Sequence, residues 1–301
     1  MSALGLAAVI TAGATYSIDW YRHRLIRSNA DLIAFLPEGS STRFFVDVAL
    51  LRRAGILKLS SKGGLGEDPE FRRFQQETHF DYRRDLDALG GSFEGDRVNF
   101  VVRGRFARRD LWQYAAARGG TCNENVCRMP ASTPGRWASF ALVQPDVLAL
   151  WLGPRPSEEA PHLDAKAEGG GVSPSPDPIW FEPSHELLQH PADLPLPLQI
   201  FAISLQSASP VILSLGAAGE DEGGAFLLKL DAQFPNASAA DTIRKQLELE
   251  TKSLSLALAK QNLRSDPKDF AGLLASGTFQ ASDRHMFGRW PIRPELLRSL
   301  E

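Results

Sequence analysis

The chain has 301 residues, a length that fits one large domain or two domains of about 100–150 residues each. Hydrophobic residues make up 43% of the sequence and charged residues 23%, an ordinary globular composition that excludes wholesale disorder. The formal net charge is only −3 and no long basic stretch is present, so we expect no binding to nucleic acid.

The N-terminal segment over residues 2–18 is apolar and uncharged. As a helix it would be about 26 Å long, slightly short of the ~30 Å hydrocarbon core of a bilayer. Aromatic residues near its end and just beyond it, and then arginines, give the order expected where a helix leaves a membrane. They are Tyr16, Trp20, Tyr21, Arg22, Arg24 and Arg27. We therefore predict a transmembrane anchor over residues 1–21. A cleaved signal peptide and a buried N-terminal helix are the alternatives.

The next part, residues 30–153, is predicted to form an α+β domain or half-domain. Alternation with a period of two and helical spacing divide it into elements. Strands are predicted over residues 30–36, 43–48, 137–143 and 147–152, with a hairpin over 92–106 that turns at Gly95-Asp96. Helices are predicted over residues 48–54, from Pro69 onward and over 107–118.

Residues 154–178 contain six prolines and three consecutive glycines, a composition typical of a linker. A second α+β domain or half-domain is predicted over residues 179–301. It begins with Ile179-Trp180-Phe181, and its strands are predicted over residues 198–205, 211–215, 225–234 and 277–290. The longest helix, predicted over 239–263 with Ser238 as its cap, carries two stripes of aliphatic residues and should bury both on a sheet. One stripe consists of Ile243, Leu247, Leu254 and Leu258, and the other of Leu249, Leu256 and Leu263.

Both parts mix antiparallel strands with covering helices. The predicted fold class is therefore α+β, with antiparallel sheets covered by helices, two similar halves and an N-terminal transmembrane helix.

The densest group of potential catalytic or metal-binding side chains is His79, Asp81, Asp85 and Asp87. A hard cation prefers several such oxygens. Arg83 and Arg84 lie between the acidic residues, however, so helix capping and ion pairing are the main interpretation.

A second candidate, His185 and His190, differs from the zinc-protease motif because its histidines are five residues apart rather than four. On a helix they would point about 140° apart, so we expect ordinary surface histidines. The sequence has no phosphate-binding loop and no nucleophile elbow. We assign no catalytic residue, no metal and no cofactor.

The only two cysteines, Cys122 and Cys127, flank good turn residues, so their sulfur atoms could meet across a tight hairpin. They would form a disulfide in an oxidising compartment and stay thiols in the cytoplasm. The arginines that follow the anchor would by themselves place the globular part in the cytoplasm. Because of the paired cysteines, we expect the exported orientation, with a periplasmic or extracellular globular part.

The spacing Phe-x-x-x-Thr-x-Phe-Asp-x-x-x-Asp-Leu, which begins at Phe74, resembles a segment of uncharacterised bacterial membrane-anchored extracytoplasmic proteins with a domain of unknown function. An Ala-Asp-x-x-x-x-Leu-Pro element at residues 30–37 and the sequence Gly-Arg-Trp-Pro-Ile at residues 288–292 are also similar to theirs. The chain departs from the pattern at His79, where glycine is expected. The resemblance implies an envelope-facing globular domain and provides no catalytic residues.

Three functions are compatible with these features. The preferred one is a membrane-tethered, non-enzymatic envelope protein that acts as a binding or scaffolding module for an unknown envelope protein. The first alternative is a membrane-anchored hydrolase or metal-dependent enzyme that uses the His79, Asp81, Asp85 and Asp87 group. The second alternative is a carrier of an apolar ligand, with a cavity of at least ~300 Å³ beneath the long helix.

Overall fold

The structure is a computed structural model that describes residues 26–37, 41–54, 69–123, 125–156, 173–191, 196–218, 226–260 and 270–292. The predicted anchor over residues 1–21 and most of the predicted linker lie outside these ranges. Within the described ranges, no helix is long and apolar enough to span a membrane.

The described residues form twelve strands and nine helices. The strands are β1 (Thr42–Val46), β2 (Leu86–Glu94), β3 (Arg97–Gly104), β4 (Thr121–Asn123), β5 (Val126–Pro130), β6 (Trp137–Gln144), β7 (Val147–Gly153), β8 (Ile179–Glu182), β9 (Val211–Ala217), β10 (Phe226–Gln233), β11 (Thr278–Ser282) and β12 (His285–Ile292). The helices are α1 (Asn29–Ile33), α2 (Val48–Arg53), α3 (Pro69–Thr78), α4 (Tyr82–Asp85), α5 (Arg108–Ala117), α6 (His185–Gln189), α7 (Leu196–Leu205), α8 (Ala237–Lys260) and α9 (Phe270–Ala275).

All of these strands belong to one antiparallel sheet, in the order β11-β12-β10-β9-β8-β1-β2-β3-β7-β6-β5-β4. The central pair, β1 and β8, joins the two predicted halves into this sheet. On each side of that pair a hairpin is followed by a covering helix (α5 or α8) and then by further antiparallel strands: four in the first half (β4–β7) and two in the second (β11 and β12). The predicted α+β class with antiparallel strands and covering helices is confirmed.

The strand register shows that α5 and α8 cover the same face of the sheet. Paired residues point to one side, so a single row of side chains can be followed across the sheet. That row is Leu213, Phe181, Phe44, Gly91, Phe100, Leu150, Phe140 and Cys127. α8 packs with α7 and α9 over the second half, and α5 packs with α3 over the first.

The opposite face carries its own hydrophobic core at the centre of the sheet. Leu32 and Ile33 of α1 are almost completely buried there against Val101. The rings of Phe45 and Trp180, on the paired strands β1 and β8, stack at 6.1 Å between centroids. The centre of the sheet is thus packed on both sides of the junction between the halves.

Two segments predicted as strands are helices. Residues 30–36 lie largely in α1, because the side chain of Ser28 caps the backbone of Asp31 and the Asp31 carboxylate caps the backbone of Ser28. Residues 198–205 lie in α7, where a short all-apolar run gives no periodicity that separates a buried helix from a buried strand.

The cap predicted for the long helix is also wrong. α8 begins at Ala237, and the side chain of Asn236 accepts a hydrogen bond of 2.9 Å from the backbone of Ala239. Ser238 lies inside the first turn instead. One of the two predicted buried stripes is exposed, since Leu249 and Leu256 keep 66% and 56% of their surface accessible to solvent.

Candidate functional site

Asp85, the central member of the predicted acidic group, is a structural anion. Its carboxylate accepts hydrogen bonds from Arg84 Nε (3.1 Å), from Arg105 Nε (3.0 Å) and from the backbone of Asp81 (2.9 Å). The hydrogen bond from Arg84 is the main cause that lowers the pKa of Asp85 to about 2, against a burial effect that raises it. Asp85, the last residue of α4, thus forms an ion pair with Arg105, the residue that follows β3.

The other three members point to different partners. The side chain of Asp81 accepts a hydrogen bond from the backbone of Arg83 and caps α4. Asp87 pairs with Arg52 at 3.1 Å. His79 lies 3.1 Å from Asp110 on α5. The four predicted side chains therefore do not converge, and the described residues contain no group of three or more His, Cys, Asp or Glu arranged to hold a metal.

The backbone at His79 has the conformation that favours glycine, the residue expected there from the resemblance. His79 follows the last residue of α3 with φ +57°, in the left-handed region that favours glycine. The imidazole at this position contacts Asp110 and so connects the end of α3 to α5.

The predicted pair of histidines is not a site. His185 opens α6, and its Nε2 lies 3.3 Å from the side chain of Gln189. His190 caps the other end of the same helix, with Nδ1 3.0 Å from the carbonyl of Glu186. Each imidazole contacts its own helix rather than the other.

The predicted disulfide between Cys122 and Cys127 is confirmed. The two residues lie directly opposite each other on β4 and β5, with their Cα atoms 4.0 Å apart. Cys127 is completely buried in the cluster beneath α5. The disulfide therefore joins the two strands of the outermost hairpin of the first half, which packs beneath α5.

A cavity of about 480 Å³ lies between α3, α5 and the sheet strands β5, β6 and β7. Strand alternation supplies its floor, because Leu148, Leu150 and Leu152 of β7 all point to this face. Ala138 of β6 lies opposite Leu152, and the small side chain of Ala138 leaves space for the cavity there. Phe140, paired with Leu150, completes the apolar floor.

The two helices supply the walls of this cavity through residues spaced one turn apart. On α5 these are Leu111 and Tyr114, and Arg118 follows at the helix end. On α3 they are Glu70, Arg73 and Phe74. The ring of Phe74 meets the ring of Tyr114 edge-on at 5.1 Å, which holds the two walls together.

Charged side chains connect α3 and α5 at one end of the cavity, which we call the mouth. Arg118 Nη1 lies 2.7 Å from Glu77 Oε2, and Arg73 Nε lies 3.6 Å from Glu77 Oε1. The guanidinium carbon of Arg118 lies 3.5 Å from the centre of the Tyr114 ring. Burial raises the pKa of Tyr114, against the opposing effect of Arg118, so the phenol is neutral at physiological pH.

The corresponding space beneath α8 is filled. There Trp290 of β12 is 3% exposed and packs edge-on against Phe279 of β11, with 5.4 Å between ring centroids. Leu247 of α8, also fully buried, completes this core. The cavity therefore lies in the first half and not beneath the long helix, where the sequence analysis placed it.

No protein-family description matches the chain, and no curated protein matches it either. Solved structures that share some similarity with it are crystal forms I, III and IV of TP0453. Form I has a TM-score of 0.44 and 12% identity, covering 91% of this chain and 98% of that one. Form III has the same TM-score and identity over 89% and 96%, and form IV has 0.40 and 11% over 89% and 95%. Similarity at this level transfers no function to the chain.

Proposed function

We propose that the protein is a membrane-tethered, non-enzymatic binding module of the bacterial envelope, and that its ligand is an apolar molecule held in the cavity between α3, α5 and β7. The observation that supports this proposal is the cavity itself. Its volume of about 480 Å³ lies within the range of ~300–1,000 Å³ that is usual for small-molecule sites, and its floor is aliphatic.

An apolar floor is costly to leave in contact with water. Each buried CH₂ group contributes about 0.8 kcal/mol, so a ligand that covers Leu148, Leu150 and Leu152 gains affinity from area alone. Arg118 and Arg73 at the mouth provide a polar boundary that orients such a ligand. The arrangement suits binding and transfer better than chemistry, because the carboxylates of Asp85 and Asp87 are already paired with arginines.

The tether and the envelope location rest on the sequence of residues 2–18 and on the disulfide between Cys122 and Cys127. Protease added to intact spheroplasts tests them, with digestion of the membrane-bound chain as the expected result and protection as the contradictory one.

The cavity is tested with tritiated dodecanol and the full chain reconstituted in nanodiscs, with empty nanodiscs subtracted for partitioning. Ala138→Leu fills the space opposite Leu152, and we expect it to weaken binding at least about tenfold without destabilising the fold. Ala257→Leu, at an exposed position on α8, is the matched control and should leave binding unchanged. Equal binding by wild type and Ala138→Leu would contradict the proposal.

A further inference from the structure

We infer that the ligand of this cavity carries an anionic head group, a carboxylate or a phosphate, which binds the guanidinium of Arg118. This inference rests on the proposed function and names the chemical class of its ligand. The apolar part of the ligand would lie along β7.

Among the described residues, the guanidinium of Arg118 has hydrogen-bond partners on one edge only. Its Nη1 donates to Glu77 at 2.7 Å and to the carbonyl of Tyr114 at 3.5 Å. Its Nε and Nη2 make no hydrogen bond to any residue that the structure describes. These two groups form the planar fork that binds a carboxylate or a phosphate through two parallel hydrogen bonds.

The fork is held in place before any ligand arrives. The guanidinium lies over the Tyr114 ring, with its carbon 3.5 Å from the ring centre, and its Nη1 is 2.7 Å from the Glu77 carboxylate. Only 22% of the Arg118 side chain is exposed. A group that is already positioned and partly desolvated loses little conformational entropy when it binds a ligand.

Net charge alone does not explain this preference. The cavity lining and its mouth contain Arg73 and Arg118 together with Glu70 and Glu77, so these four charges sum to zero. Selectivity for an anion therefore comes from the directed donors of Arg118. A lysine at this position would keep the charge and lose the fork.

The floor gives an approximate size for the apolar part. Leu148 and Leu152 are four residues apart on β7, which corresponds to about 13 Å along the strand. On the opposite wall, Leu111 and Arg118 are seven residues apart, or about 10 Å along the helix. An amphiphile with a medium-length hydrocarbon chain fits between these limits with its head group at Arg118.

The test compares four tritiated amphiphiles with the same chain and different heads: dodecanoate, dodecyl phosphate, dodecanol and dodecyltrimethylammonium. Binding to the full chain in zwitterionic nanodiscs is measured against empty nanodiscs. We expect one or both anionic amphiphiles to bind about tenfold more tightly than dodecanol and dodecyltrimethylammonium. Whichever of dodecanoate and dodecyl phosphate binds more tightly identifies the head group as a carboxylate or a phosphate.

The variants separate the role of Arg118 from a general effect of charge. Arg118→Gln and Arg118→Lys should both lose most of the preference for anions, measured as the ratio of anionic-amphiphile binding to dodecanol binding. Thermal unfolding followed by circular dichroism shows separately that the variants are folded. Arg109→Gln, an exposed arginine of the same helix, is the matched control and should behave as wild type.

Equal binding of the four amphiphiles, or a preference that survives in Arg118→Gln, would overturn the inference and leave the proposed function standing. No binding of any of the four above empty nanodiscs would overturn both.

Discussion

At the scale of single residues, the acidic group that most resembles a catalytic site in the sequence has a structural role. Asp85 is buried and bonded to two arginines, and each of its neighbours caps a helix or pairs with a cation. The alternation of arginines and aspartates over residues 81–87 predicted this pairing. It did not predict that Arg105, twenty residues away, would be one of the partners of Asp85.

The pKa of Asp85 leads to a prediction about stability. Its folded-state value of about 2 lies below its ordinary value of 3.8, so the ionised carboxylate stabilises the fold by on the order of 2 kcal/mol. This contribution is fully present above about pH 5 and is lost as the pH falls toward 2. Asp85→Asn should therefore reduce the unfolding free energy at neutral pH, and its difference from wild type should shrink over this acidic range in urea titrations.

Asp87→Asn is the control for this experiment. The Asp87 side chain is 41% exposed and its partner Arg52 is 33% exposed, so their ion pair should contribute less than about 1 kcal/mol. Equal losses of stability in the two variants would contradict the role assigned to Asp85.

At the scale of elements, the sequence predicted most strands and helices where local patterns were strong. The alternation over residues 92–106 gave the hairpin of β2 and β3, and the double glycine after Arg118 gave the end of α5. Segments with weak periodicity, such as α7, were assigned wrongly. The two stripes of α8 could not be ranked from sequence, because only the packing against β11 and α9 decides which one is buried.

Two leucines of α8 provide a direct test of that packing. Leu247 is fully buried and Leu249 is 66% exposed, although they are two residues apart on the same helix. Leu247→Ala should cost about 3 kcal/mol of unfolding free energy because it leaves a cavity in the core. Leu249→Ala should stay within about 0.5 kcal/mol of wild type. Chemical denaturation of both variants measures the difference, and similar losses would show that α8 is rotated relative to its assigned position.

At the scale of the whole molecule, the two predicted halves share one sheet through β1 and β8. Arg43 and Glu182 are directly opposite across this pair, and Arg43 Nη2 lies 2.7 Å from Glu182 Oε2. Their side chains are only 14% and 18% exposed. The sequence could not show this contact, since the partners are 139 residues apart and each looks like an ordinary surface charge.

Breaking that ion pair should destabilise both halves together. Glu182→Gln leaves a largely buried guanidinium unpaired and should cost about 3 kcal/mol in urea unfolding. Arg43→Met combined with Glu182→Leu should recover most of this loss, because it removes both charges. A double variant that is as unstable as the sum of its single variants would contradict a direct interaction across the junction.

The cavity was also beyond the reach of sequence reasoning. Its residues come from α3, α5 and three strands, and none of them forms a recognisable motif. A cavity for an apolar ligand could be anticipated only as one alternative, and the sequence analysis placed it beneath the long helix. The true position of the cavity could not be anticipated, because it depends on side chains such as Trp290 and Leu247 that fill the space beneath α8 and have no counterpart among the described residues beneath α5.

The central claim is that the apolar ligand binds in this cavity, and photolabelling tests it most directly. The full chain in nanodiscs is irradiated with a dodecanol analogue that carries a diazirine at the end of its chain, and the labelled peptides are identified by mass spectrometry. We predict labels on α5 or on strands β6 and β7, around Leu111, Phe140 and Leu148, and their loss in Ala138→Leu. Labels found instead on the exposed stripe of Leu249 and Leu256 would contradict the account, because they would place the apolar contact on the surface of α8.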